Sequence, residues 1–213
     1  MIAQLAPIVL AFGANLADRE NAIAAAQAQL AAHPQISDFR ASPLVQSIKL
    51  TPEGADKSAP RYLNGIATAV TTLAPLDLLA LLHEIEHAHG RVRTERWGDR
   101  TLDIDIISYA GLVQRTPELT LPHPAAHERD FVLAPWLALD PHAVLLRHGR
   151  VADLLARIGD TTEPYISNLE PQLSSQSSSQ TDPYSTPQPG QSDSQSTSYS
   201  TQQPTPETSQ NAR

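Results

Sequence analysis

The sequence predicts an α+β domain in which an antiparallel sheet carries packed helices. Three observations predict it. Runs of strand length and helical patterns follow one another as strand, helix, strand, strand, helix, strand. Two of the strand-like runs, Leu63 to Thr72 and Leu102 to Tyr109, alternate in character at a period of two. About 165 residues have ordinary globular composition, enough for one domain with a proper core.

The first strand is read at Pro7 to Phe12, an apolar run ending in Gly13-Ala14-Asn15. Asp18 suits the N-cap of an Ala-rich helix from Arg19 to about Ala32, which Pro34 stops. Ile36 to Gln46 reads as a second strand weakened by Pro43, and Leu50 to Arg61 as a loop. Leu63 to Thr72 is the third strand. Pro75 starts the second helix, whose core stripe is Leu78, Leu81, Leu82, Ile85 and Ala88, and Gly90 ends it. Leu102 to Tyr109 is the fourth strand. A helix from about Ala126 to Leu139 and an amphipathic helix over Val151 to Ile158 follow. This βαββαβ order is the ferredoxin-like arrangement, with helices on one face of an antiparallel sheet.

Composition divides the chain. Residues 1–165 read as the folded domain. Residues 166–213 read as a disordered tail, rich in Ser, Gln, Thr and Pro most plainly from Ser174 onward, with too little apolar surface to offset chain entropy. There are 0 cysteines, which excludes disulfides and thiolate chemistry. The absence of a basic-then-apolar leader or a long apolar run points to a cytoplasmic protein without membrane contact. The net charge of −8 argues against a nucleic-acid partner.

Against that acidic background, residues 90–106 stand apart. Arg91, Arg93, Arg96 and Arg100, with Trp97 among them, run directly into the strand that carries Asp103 and Asp105. On a strand those two acids project to one face while Leu102, Ile104 and Ile106 take the other. Paired carboxylates hold hard cations such as Mg²⁺, and guanidiniums grip phosphate oxygens in forked hydrogen bonds, so the window suits a metal-bound polyphosphate. The plain alternative is a solvated charged loop beside an exposed strand edge. Two acids on an otherwise apolar strand are costly unless neutralised, and the arginines are the nearest supply of charge.

His83-Glu84-Ile85-Glu86-His87 matches the zinc metalloprotease signature, a competing class. On the helix, however, His83 and His87 fall opposite the Leu78–Ile85 stripe, facing water, where a catalytic zinc would lack walls. Glu86 lies on the flank of the stripe, near the boundary between core and solvent. Neither a P-loop nor a Gly-x-Gly-x-x-Gly strand turn is present, so a nucleotide must be held by side chains and metal.

Gly90-Arg-Val-Arg, the run from Arg96 through Ile106, Leu121-Pro-His-Pro and the run from His127 to Leu133 together resemble the 6-hydroxymethyl-7,8-dihydropterin pyrophosphokinase family of folate biosynthesis. Gly13-Ala14-Asn15-Leu16, Tyr62-Leu63-Asn64 and the start of the second helix join the resemblance, which covers roughly Ile8 to Pro141. It implies a monomeric, ATP-dependent pyrophosphokinase that moves the β,γ-pyrophosphoryl group of ATP to the pterin hydroxymethyl group, releasing AMP. It further implies two Mg²⁺ ions on Asp103 and Asp105, and Arg91, Arg93 and Arg100 acting on the phosphates. Glu86, Arg93, Trp97, Arg100, His123 and Arg129 would contact ATP. Tyr62 and Phe131 would stack on the pterin, with Asn64 and Ser47 at its edge. A catalytically inactive pterin- or nucleotide-binding module is the remaining alternative. The chain departs from the family pattern at Ser47-Ile48-Lys49, at Pro124, at Glu118 and in a long loop between Ser47 and Tyr62.

Overall fold

A computed structural model describes residues 5–16, 18–51, 54–56, 60–90 and 101–167, the backbone alone for 49–51 and 54–56. In chain order the elements are β1 (Ala6–Ala14), α1 (Arg19–Ala31), β2 (Ile36–Ala41), β3 (Val45–Ser47), β4 (Lys49–Thr51), β5 (Gly54–Asp56), β6 (Tyr62–Thr71) and α2 (Pro75–Ala88). There follow β7 (Asp103–Tyr109), β8 (Gln114–Arg115), β9 (Thr120–Leu121), a 3₁₀ turn (Ala126–Glu128), α3 (Asp130–Leu139), β10 (Val144–Leu145), β11 (Gly149–Arg150), α4 (Val151–Ile158) and β12 (Glu163–Pro164).

The main sheet runs β12-β3-β6-β1-β7, with β2 also paired to β6, and each of these pairings is antiparallel. With β2 and β3 counted as one interrupted strand, the four expected strands stand in the order 2-3-1-4, which is the ferredoxin-like order. The second strand is split because Pro43 has no N–H for the ladder. Ser42 bridges the break: its N–H donates to the Ile66 carbonyl at 2.8 Å, and its Oγ accepts the Ile66 N–H at 3.0 Å.

Helices cover both faces of the sheet, where the element order led us to expect one. On the first face, Ile8, Leu10 and Phe12 of β1 pack with Ile23 and Leu30 of α1 and Leu78, Leu82 and Ile85 of α2. On the second, Val9, Ile66 and Ile107 pack with Val132, Leu133 and Trp136 of α3 and Val151 and Leu154 of α4. Alternation along β7 sends the consecutive Ile106 and Ile107 into opposite cores, and the register shift against β1 falls beside them, between Val9 and Leu10.

Asp18 caps α1 as its side chain predicts, accepting the Asn21 N–H at 3.3 Å. Three expectations need correction. The 50–61 loop contains the β4–β5 hairpin. The helix expected from Ala126 is a 3₁₀ turn, followed by α3 from Asp130. Residues 163–167, past the last expected helix, return to the sheet: β12 pairs with β3, and the Tyr165 and Ser167 hydroxyls donate to the buried Glu20 carboxylate of α1. Packed structure thus runs past residue 165, while the tail beyond Ser167 lies outside the described residues. No described helix is long and apolar enough to cross a membrane.

Candidate active site

Opposed residues in an antiparallel pair share a face, so the register places the site side chains directly. Asp103 stands opposite Gly13, Gly13 opposite Asn64, and Asn64 opposite Val45, in one row across four strands. Asp105 stands in the next row, opposite Ala11, which faces Ile66. Tyr62 pairs with Ser47 and lies two residues from Asn64, hence on the same face. Both acids and three of the four expected pterin residues therefore share the α3 face of the sheet, at the end marked by Gly13. Gly13 leaves a gap in the row: a Cβ there would stand 3.6 Å from Asn64 Oδ1.

The strand carrying the acids is held from behind. Glu86 is 2% exposed and accepts the Ile104 N–H at 2.8 Å. The helical pattern places Glu86 near the boundary between core and solvent. It is instead buried between α2 and the edge strand β7, where an unpaired edge amide needs an acceptor. A hydrophobic stripe cannot distinguish a flank that meets solvent from one that meets a sheet edge.

His123 and Arg129 come to the acids from the segment between β9 and α3. The His123 N–H donates to the Ile107 carbonyl at 2.9 Å, fixing the residue beside β7. Its Nδ1 accepts the Ala125 N–H at 3.2 Å, which leaves Nε2 turned to Asp105 Oδ2 at 3.8 Å. Burial lowers the His123 pKa below its ordinary value; Asp105 opposes that shift, Arg129 adds to it and Asp103 opposes it. Arg129 places one guanidinium nitrogen 3.8 Å from the same Asp105 oxygen, and its Cζ sits 5.7 Å over the Phe131 ring. One carboxylate, one imidazole and one guanidinium thus meet within a few ångströms, and Phe131 lies beside them.

Ser47 and Asn64 are buried and bonded to each other, Asn64 Nδ2 donating to Ser47 Oγ at 2.9 Å. Asp105 has 40% of its side chain exposed, so this end of the face is open to a ligand. The expected Arg91, Arg93, Arg96, Trp97 and Arg100 lie outside the described residues. The zinc reading gains no support: His83, Glu84 and His87 are exposed, and among the described residues no cluster of three or more His, Cys, Asp or Glu side chains is placed to hold a metal. Asp130, Thr161 and Glu163 tie this region together; Asp130 falls within the His127–Leu133 run, but nothing in the sequence signals its bond to Thr161, and Glu163 lies in a two-residue strand with no period to read.

An open sheet face with paired acids, set beside an imidazole and a guanidinium, defines a class that handles phosphates through side chains rather than a glycine loop. Residues 9–141 match the family described as 7,8-dihydro-6-hydroxymethylpterin-pyrophosphokinase, and the chain belongs to that family. It is 41% identical over 149 residues to the 2-amino-4-hydroxy-6-hydroxymethyldihydropteridine pyrophosphokinase of Pseudomonas aeruginosa, covering 70% of this chain and 90% of that one. It is 34% identical over 151 residues to the Haemophilus influenzae enzyme of the same name, covering 71% and 92%. Among solved structures, the HPPK-DHPS S436F/A437G/A613S triple mutant of Plasmodium falciparum superposes with a TM-score of 0.53 at 14% identity. That match covers 73% of this chain but spans only 44% of the longer one, and it bears on the fold alone.

Proposed function

We propose that the open end of the α3 face is where this pyrophosphokinase transfers the β,γ-pyrophosphoryl group of ATP to 6-hydroxymethyl-7,8-dihydropterin. The observation that carries the reading is the shared row: Asp103 and Asn64 flank Gly13 on one face, and Asp105 beside them meets His123 and Arg129. The pterin hydroxymethyl oxygen bonds to the β-phosphorus, the bridge to the α-phosphorus breaks, AMP departs with the bridging oxygen, and the hydroxyl proton is released.

The acids fit Mg²⁺. They offer hard oxygen donors two residues apart on one face, with no third acid, His or Cys completing a metal-holding cluster with them among the described residues, leaving positions for phosphate oxygens and water as Mg²⁺ prefers. Two such ions supply neutralisation of the charge that spreads over the non-bridging oxygens. The chain's own groups do the rest. His123, kept neutral by burial, offers its Nε2 to a phosphate oxygen. Arg129 steps from Asp105 to the phosphates, joined by Arg91, Arg93 and Arg100. The resemblance assigns Trp97, with Arg96, to the ATP side of the site. Tyr62 and Phe131 take the flat pterin between them, and Asn64 and Ser47 hydrogen-bond its edge. Glu86 supports β7 through its bond to Ile104, and the family resemblance sets it on the nucleotide side.

Both substrate sides come from one chain, which supports a monomer; the net charge of −8 supports the absence of a nucleic-acid or anionic-membrane partner, and the lack of cysteines agrees with a cytoplasmic setting. The catalytic unit is the domain read at residues 1–165, extended by the packed residues through Ser167. Incubating the protein with ATP, Mg²⁺ and 6-hydroxymethyl-7,8-dihydropterin should release AMP, and chelation should stop it. Lack of AMP would sink the reaction assigned; undiminished turnover after complete chelation would sink the metal assignment.

A further inference from the structure

The two aromatic residues assigned to the pterin slot come from distant parts of the chain. Tyr62 opens β6, and Phe131 lies in the first turn of α3. A short segment beyond the family match, which ends at residue 141, joins them.

At one end of that segment, the Thr161 N–H and hydroxyl both donate to Asp130 Oδ2, at 2.9 and 2.6 Å. The other Asp130 oxygen accepts the Phe131 N–H at 2.8 Å. Thr161 is thereby fixed to the residue that sets the start of α3 and the root of Phe131. Two residues on, Glu163 pairs with Gln46 in β3 and its carboxylate accepts from the Arg61 guanidinium. Arg61 directly precedes Tyr62, and its carbonyl accepts from Arg19 of α1. Pro164 then pairs with Val45, the strand neighbour of Asn64. The Tyr165 N–H donates to the Leu44 carbonyl at 3.0 Å, and its hydroxyl to Glu20 at 3.0 Å.

The two anchors are two residues apart, so extended chain holds them within about 7 Å of each other. A tether this short, fastened by side chains at both ends, resists widening of the gap between the α3 start and the β6 start. Burial and propensity alone would let these elements slide by a few tenths of an ångström, and a flat ring stacked on two faces senses that shift.

We propose that Thr161 to Glu163 form a tether that holds Phe131 opposite Tyr62 and so sets the fit of the slot for its planar bicyclic substrate. Thr161 and Asp130 are positioning residues in this scheme, acting through Phe131 rather than touching the ligand. The inference rests on the proposed slot.

The test uses the full-length protein and four variants: Thr161→Val, Asp130→Ala, Thr161→Ser and Phe131→Ala. Affinity for the dihydropterin is measured with a non-hydrolysable ATP analogue and Mg²⁺ present, alongside KM for each substrate, kcat and the unfolding midpoint. Thr161→Val and Asp130→Ala should raise the pterin Kd and KM by roughly five- to tenfold, the scale expected of a small misplacement, while KM for ATP and the midpoint hold. Thr161→Ser, which keeps the hydroxyl donor, should restore pterin binding. Unchanged pterin affinity in both tether variants overturns the proposal, and so does a loss shared equally by pterin and ATP. Phe131→Ala separates the two layers. If it too leaves pterin affinity intact, the slot assignment falls and the tether with it; if it weakens binding while the tether variants do not, only the tether falls.

Discussion

Asp105 is the residue on which the site converges. Its Oδ2 lies 3.8 Å from both His123 Nε2 and an Arg129 nitrogen, yet 40% of its side chain remains exposed. It contributes little to the apolar core, so Asp105→Ala, and likewise Asp103→Ala, should abolish AMP release while leaving the far-ultraviolet circular dichroism spectrum and the unfolding midpoint nearly unchanged. Ordinary turnover in either variant would show that the acids do not hold the metal. Glu86 behaves in the opposite way. It is buried, and it satisfies the Ile104 N–H that sits between the two acids in sequence. Glu86→Ala leaves that amide without its acceptor, which costs about 1–3 kcal/mol in a denaturant titration. Glu86→Gln keeps an acceptor oxygen and should cost less. An equal loss in the two variants would mean that the charge, not the bond to β7, is what matters.

At the scale of elements, the β10–β11 hairpin is docked on the 3₁₀ turn that leads to Arg129. Leu145 of the hairpin is fully buried in the second core, and His148 stacks on His127, ring centroids 4.0 Å apart and 23° from parallel. Burial lowers the His148 pKa, and the neighbouring His127, Arg157 and Arg147 lower it further, against a smaller opposing pull from Glu128. The folded state therefore binds fewer protons than the unfolded chain as pH drops below the ordinary value of 6.5. Stability is full above that value and is lost as pH falls through the lower folded pKa. The unfolding temperature of wild type should drop across this window more steeply than that of His148→Gln; parallel curves would remove His148 as the cause. The α2 histidines lack such a setting. Because His83 and His87 are exposed, replacing both with alanine should leave AMP release and its Mg²⁺ requirement untouched, whereas zinc dependence would revive the protease reading. These elements also show what the sequence could and could not convey. β1, α1, β6, α2 and β7 were legible because each has enough residues to display a period or a cap. Pro43 marked where the second strand breaks, but the hairpins and β12 were not legible, since two or three residues carry no period and their pairing is decided by distant partners. The same holds in the site. Asp103 and Asp105 declared a shared face by their spacing, but the approach of His123 and Arg129 to Asp105, and the tie from Asp130 to Thr161, exist only once the chain has folded.

For the whole molecule, the two hydrophobic clusters lie on opposite faces of one sheet and share β1, β6 and β7. A disturbance on the α3 face is thus felt on the α1–α2 face, and the described domain should unfold as one cooperative unit. Every member of both clusters lies between Ile8 and Tyr165. Beyond them the chain still supplies Ser167 to Glu20, and after Ser174 its composition offers almost no large apolar groups. Deleting residues 174–213 accordingly removes none of the described core, tether or site. Such a protein should keep its unfolding midpoint, within the roughly 0.5 kcal/mol expected of changes away from packed structure. Its kcat and both KM values should match those of the full chain. Ending the chain after Gly159 instead removes Thr161, Glu163 and Tyr165, and should weaken pterin binding and lower the midpoint together. If the longer truncation product lost turnover to the same degree as the shorter one, the tail would have to act on the site directly, and the division of this chain before residue 174 would be wrong.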